Sequence, residues 1–383
     1  MKVVLAIDSF KGSLPSTRLA DAAEKGILAV YPEAEVVKIP VADGGEGTVE
    51  ALVAGTEGSY IDLAVRGPLD EPVMARYGIS GDGSTAVIEM AEASGLPLIP
   101  QAKRNPEKTS TYGTGQLILD GVERGCRNFV IGIGGSATND CGTGMMQALG
   151  MTFHDSSGKV LKGCGENLPK IAAIGTDRLD PRLKECRFRI ACDVDNPLYG
   201  ERGAAYVYSP QKGADEAMVF RLDRGLEHFS GIVAEQFGFD MNRLPGAGAA
   251  GGLGGAFAAF LNGSLEPGIG LVLKETGIGE KLEGADFVLT GEGRIDFQSV
   301  MGKTPVGVAK AAAEKNVPVI AIAGSVADDA LSVHNHGISA LFSIMNYPIT
   351  LEEALEADRT AFLVERNAEE IFRLIKICQG RSL

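Results

Sequence analysis

Residues 1–48 read MKVVLAIDSFKGSLPSTRLADAAEKGILAVYPEAEVVKIPVADGGEGT, and the order of elements in this stretch decides the fold class. Residues 3–7 are a short apolar, partly β-branched run that ends in Asp8 and Ser9 and passes into a Lys11-Gly12 loop. Pro15-Ser16-Thr17 opens an amphipathic helix to about residue 30, with Leu19, Ala22, Ala23, Gly26, Ile27 and Val30 on one face. Residues 36–41 make a second strand, followed by a glycine-rich turn and a helix over 48–53. Strand, loop, helix, strand, loop, helix is the beginning of a parallel sheet, because parallel neighbours need a crossover and a helix supplies it.

The last hundred residues carry the same alternation. Strands are expected at 286–289, 317–323 and 338–344, a helix at 305–315, and closing helices over 351–378. Two N-terminal and three C-terminal strands predict one five-stranded, doubly wound parallel sheet of flavodoxin-like or Rossmann-like type. The middle reads differently, with extended segments over 62–77 around a Gly67-Pro68 turn and further strands at 85–89, 128–133, 151–154 and 188–192. The expectation is an α/β protein in which residues 1–62 plus 285–383 form a discontinuous domain, residues 63–284 form an inserted α/β domain, and a cleft separates them.

Composition narrows the function. The net charge of -14, with no tryptophan and only 6% aromatic residues, argues against a nucleic-acid partner. Six cysteines without a CxxC pair read as reduced thiols. No run approaches the roughly 18–20 apolar residues of a membrane span, and the start of the chain reads as a buried strand, so a cytoplasmic location is expected. Glycine supplies 51 of 383 residues, nearly twice the usual share of about 7%. An acidic protein can still hold a small anion through backbone amides and a few local cations, and the glycines cluster just past predicted strand ends.

The first cluster, residues 40–48, carries Asp43 and Glu46, which suit a metal or substrate hydroxyls. The second, residues 132–140, follows a strand and offers Gly134 and Gly135 amides with the Ser136, Thr138 and Asn139 side chains, a donor set for phosphate oxygens. Gly132-x-Gly134-x-x-Ala137, with Asp155 farther on, also matches a dinucleotide fingerprint, which keeps a nicotinamide-dependent hydroxy-acid dehydrogenase in view. Residues 245–251 imitate GxGxxG without a preceding strand, and the role of the glycines over 246–255 is open between hinge and packing. Residues 291–296 bring Arg294 and Asp296, followed by Gly302-Lys303-Thr304. Phe297 stands where a P-loop needs its first glycine, so no Walker A motif is present. Asp193, at the end of a strand, could act as base or metal ligand, and Lys212 sits on a loop.

Together, Asp8-Ser9-Phe10-Lys11-Gly12-Ser13 and residues 40–48, 134–140, 191–198, 210–214, 245–252 and 290–296 with 302–305 resemble the motif set of bacterial class I glycerate kinases, in order and over essentially the whole chain. Cys141 stands where that family usually has a further glycine, and Ser209 precedes Pro210; neither departure touches a charged position. The resemblance implies a two-domain kinase without a P-loop that phosphorylates D-glycerate with ATP and Mg²⁺, and this branch is associated with 2-phosphoglycerate as product. The positive charges expected around the cleft are Lys11, Arg294, Lys303 and Lys212, with residues 134–139 and Lys303 on ATP. Arg294 or Lys11 would pair with the glycerate carboxylate, and Ser9, Asp43, Glu46 and Lys212 would help bind substrate. Asp296 or Asp193 would take the hydroxyl proton, and Asp193 and Asp43 would hold the metal. A non-catalytic nucleotide or small-acid sensor is the third reading, and a homodimer is left open.

Overall fold

The computed structural model describes residues 1–380, without the side chains of Gln298 and Met301. The last three residues of the domain expected over 285–383 therefore lie outside the described residues. In chain order the strands are β1 (Lys2–Ile7), β2 (Glu35–Lys38), β3 (Ser59–Arg66), β4 (Pro72–Ile79), β5 (Thr85–Glu89), β6 (Asn128–Gly132), β7 (Thr152–His154), β8 (Val160–Leu161), β9 (Ala173–Gly175), β10 (Arg187–Ala191), β11 (Ser264–Glu266), β12 (Phe287–Ile295), β13 (Val319–Val326) and β14 (Ile338–Ser343). Two compact units organise them. The first takes Met1–Asp43, Glu50–Gly55 and the chain from Ile269 onward; the second takes Gly44–Val49 and Thr56–Gly268.

The first unit is a five-stranded sheet in the order β14-β13-β12-β1-β2, parallel at every pairing. Counted within the unit this is the flavodoxin order, with the reversal between β1 and β12. The apolar run of β1 is buried on both sides. Val3, Leu5 and Ile7 pack with Leu19 and Ile27 of the helix Ser16–Val30 and with Leu363 and Phe372 of the helix Ala357–Cys378. Val4 and Ala6 pack on the opposite face, with Ile269, Leu273, Val308 and Ala312. A leucine or isoleucine buried this completely contributes about 1.5–3 kcal/mol relative to exposure, so the period-2 split of one short strand fixes the two helical layers.

β12 is longer than the sequence suggested. Instead of giving way to a loop after Leu289, it continues through Glu292 and Arg294 to Ile295, paired with β13 as far as Val326. Pairing to a neighbour that also runs on overrides the local glycine signal, and the strand thereby carries charged residues past the core.

The second unit holds a six-stranded sheet, β11-β10-β6-β5-β4-β3, and a small β8-β7-β9 sheet. β11, β10, β6 and β5 are parallel, and β3 and β4 form the antiparallel hairpin expected around Gly67-Pro68. Residues 62 and 63, the limit read from sequence, fall inside β3, which pairs with β4 along its whole length. At the other limit, Ile278 and Leu282 pack into the core beneath the first sheet, so the compact first unit reaches back to Ile269 rather than 285. Among the described residues no helix is long and apolar enough to cross a membrane.

Candidate active site

In the first unit the carboxyl ends of β1, β12, β13 and β14 open into a pocket of about 690 Å³. It lies at the switch point between β1 and β12, where crossovers leave in opposite directions and open α/β sheets bind ligands. Asp8, the first residue past β1, is buried; its carboxylate accepts from the Thr304 hydroxyl at 2.6 Å and the Ser9 amide at 2.7 Å. Burial pushes Asp8 up to about 6, against the lowering effect of Thr304, and neighbouring Asp43 pushes the same way. Thr304, whose position resembles the end of a P-loop, thus spends its hydroxyl on Asp8 at the first turn of the helix Thr304–Ala313.

Glu292, on β12, is also buried and accepts from the Ser299 hydroxyl. Burial raises it to about 7; Ser299 and Lys303 oppose this, whereas Asp8 and Asp43 add to it. Asp43 pairs with Lys11 at 3.6 Å, and Arg294 pairs with Asp296 at 3.3 Å, the arginine side chain remaining 67% exposed. Asp8, Ser9, Lys11, Asp43, Glu292, Arg294 and Lys303 all line this one pocket. The strand extension explains the company of Glu292 and Arg294, two residues apart on the same face of β12.

The glycine loop after β6 belongs to the second unit. Gly134 and Gly135 are exposed, whereas Ser136 through Asp140 are buried. Asp140 holds the loop: its carboxylate accepts from the amides of Thr111, Gly142 and Gly144 and from the Thr111 hydroxyl at 2.8–3.2 Å. Lys212 was expected on an open loop and is instead fully buried. Its Nζ donates to Ser136 Oγ at 2.9 Å and to the Thr138 carbonyl at 2.7 Å. Burial brings its pKa down to about 7, with Asp140 acting in the other direction. Thr138 Oγ1 and Asn139 Nδ2 are buried without a hydrogen-bond partner in the protein, which leaves two donors for a ligand or water to satisfy. The expected helix start is displaced: the chain turns through Gly142 before the short helix Thr143–Ala148.

The cluster over 246–255 supports this loop. Gly251 and Gly252 adopt φ of +69° and +95°. A Cβ on Gly251 would lie 2.1 Å from the Thr138 carbonyl oxygen, and one on Gly252 would lie 2.8 Å from Cys141 Sγ. Gly251 and Gly252 are therefore packed closely against the back of this loop.

The remaining expected residues are more dispersed. Glu46 is exposed in the second unit. There Glu89, at the end of β5, accepts from the Val49 amide at 2.9 Å and is raised to about 7 by burial. Asp193 also belongs to the second unit, and its carboxylate accepts from the Gly268 amide at 2.9 Å, at the start of the helix Gly268–Glu275. Asp43 and Asp296 are in the first unit. Asp8, Glu292 and Glu89 were not singled out from sequence; Asp8 and Glu89 stand at or just past the end of an apolar strand and Glu292 just past the run expected over 286–289, which was the available signal. The dinucleotide alternative loses its acid, because Asp155 closes the β7–β8 turn onto Ser157 and Lys159 in the separate small sheet.

A flavodoxin-ordered sheet with cations and carboxylates at its switch point, in a chain whose second unit carries a glycine loop with unsatisfied donors, defines an α/β enzyme class that handles small anions without a P-loop. The glycerate kinase family matches residues 3–376. The glycerate 2-kinase of Escherichia coli is 51% identical over 354 residues, 92% of this chain and 93% of that one. The glycerate kinase of Bacillus subtilis is 49% identical over the full length of both chains. A crystal structure assigned to glycerate kinase 2 of Salmonella typhimurium LT2 superposes with a TM-score of 0.91 at 44% identity, covering 99% of each chain. The chain belongs to the glycerate kinase family.

Proposed function

We propose that this enzyme transfers the γ-phosphoryl group of ATP to the 2-hydroxyl of D-glycerate, giving 2-phosphoglycerate. The observation that carries the reading is the convergence of Lys11, Lys303 and Arg294 with Asp8, Asp43 and Glu292 on one switch-point pocket, in a chain of this family. Phosphoryl transfer asks for little covalent help; it needs positive charge on the transferring group and a held acceptor.

Lys11 and Lys303 supply charge toward the phosphates. Arg294, the planar fork among the three cations, suits the glycerate carboxylate, with Ser9 beside it. The loop 134–139 takes phosphoryl oxygens through its amides and the unsatisfied Thr138 and Asn139 donors, while Lys212 holds Ser136 and the Thr138 carbonyl in place. Mg²⁺ fits the donor set of Asp8, Asp43 and Glu292: three hard oxygen donors face one pocket, and the Asp43 charge opposes ionisation of both Asp8 and Glu292. Among the described residues no group of three or more His, Cys, Asp or Glu side chains is arranged to hold a metal by itself; Mg²⁺ carried on phosphates usually takes only one or two protein carboxylates. Bound there, it would neutralise charge on the transferring group. Asp193 is better placed as a helix cap than as a ligand. The hydroxyl proton goes to Asp296 or, where Asp8 and Asp43 hold the ion, to Glu292.

Single-turnover rates of Asp296→Asn, Glu292→Gln and Asp193→Asn separate these roles. Loss of at least a hundredfold is expected in one of the first two and less than tenfold in the third. Near-normal chemistry in both Asp296→Asn and Glu292→Gln would remove the base assignment.

A further inference from the structure

One wall of the switch-point pocket is apolar, and phosphate and carboxylate chemistry give no use for that wall. Beyond β14 the chain turns through Ile344, Met345, Tyr347, Pro348 and Ile349 into the short helix Leu351–Leu355, all of them on the pocket wall. Tyr347, Leu351 and Leu355 are 43%, 75% and 38% exposed, so apolar groups face the opening rather than a core. The wall is locally fixed. Thr350 and Glu353 close a reciprocal capping box on the helix, and the Arg359 guanidinium lies 5.0 Å from the Tyr347 ring centre. The wall also adjoins the charged end: Leu355 Cδ2 would lie 3.9 Å from a Cβ placed on Gly12, next to Lys11.

Size and polarity decide the occupant. A three-carbon acid cannot fill 690 Å³, a volume in the range of drug-sized ligands, and it has no apolar face to set against leucine. A nucleoside triphosphate has the same two-ended character as the pocket, with a flat, weakly polar base at one end and a polyanion at the other. We infer that the wall formed by residues 344–355 is the nucleoside subsite, where the base packs on Tyr347, Leu351 and Leu355 and the phosphates run toward Lys11 and Lys303. This rests on the kinase reading above and adds which unit holds the nucleotide.

Photolabelling of the wild-type protein with 8-azido-ATP, followed by peptide mapping, tests the placement without any substitution. Label within residues 344–355 is expected; label within 132–140 or elsewhere would overturn the inference. Leu351→Asp and Leu355→Asp change solvent-exposed positions and serve as the second arm. They should raise the KM for ATP at least tenfold and leave the KM for glycerate within twofold. Inhibition by inorganic tripolyphosphate, which has no base, should be unchanged. An unchanged KM for ATP in both variants, or equal loss of tripolyphosphate binding, would contradict the subsite. Phosphoglycerate formation by the wild-type enzyme separates the two claims: product with label elsewhere overturns the nucleoside subsite alone, whereas label at 344–355 without product overturns glycerate as the acceptor and leaves the subsite standing.

Discussion

Buried carboxylates set the chemistry at the scale of single residues. Glu89 has its pKa raised from 4.5 to about 7, with burial as the largest cause. The folded state therefore holds this proton more tightly than the unfolded chain, and the resulting stability is present below pH 4.5 and lost as pH rises toward 7. Glu89→Gln removes the titration while keeping an acceptor for the Val49 amide. Relative to wild type it should gain roughly 3 kcal/mol between pH 4 and pH 8, read from urea midpoints at the two values; a pH-independent difference would refute the assignment. Arg294→Met should raise the KM for glycerate at least tenfold with nucleotide binding retained, because it removes the bidentate partner of the carboxylate. Unchanged glycerate kinetics would place the carboxylate elsewhere.

The glycine segments behave as elements with distinct tasks. Those over 132–135 open a loop, whereas Gly251 and Gly252 press against its back. Gly251→Ala places a methyl group 2.1 Å from the Thr138 carbonyl at a φ of +69°, and should cost on the order of 2–3 kcal/mol in stability. Phosphoryl transfer should fall with it, because Thr138 moves; calorimetry paired with kcat checks both, and a variant with wild-type melting and turnover would show that the contact is slack. This packing could not be read from the sequence, where 245–251 offers only a motif lookalike and the partners Thr138 and Cys141 lie more than a hundred residues away. Local pattern did reveal β1, whose apolar run can only be a strand covered on both faces, and the glycine loop after β6. It missed the extension of β12, which depends on pairing to β13, and so missed Glu292, hidden among residues that look like a turn. The burial of Lys212 was invisible for the same reason: a lysine beside glycine reads as solvated until the fold closes over it.

For the molecule as a whole, a charge of -14 is reconciled with anionic substrates by local arrangement. Cations gather at one switch point, and a loop in the second unit presents amides and unsatisfied hydroxyl and amide donors. The carboxylates beside Lys11 and Lys303 would repel ATP without a divalent ion. Chelation with EDTA should therefore abolish turnover and added Mg²⁺ should restore it; turnover that survives full chelation would contradict the role given to Asp8, Asp43 and Glu292. The most direct test of the central claim is ³¹P and ¹H NMR of the purified protein with ATP, Mg²⁺ and D-glycerate. The account predicts equal amounts of ADP and 2-phosphoglycerate, with phosphorus coupled to the single proton on C2; ATP left intact, or consumed without any phosphorylated glycerate, would contradict it.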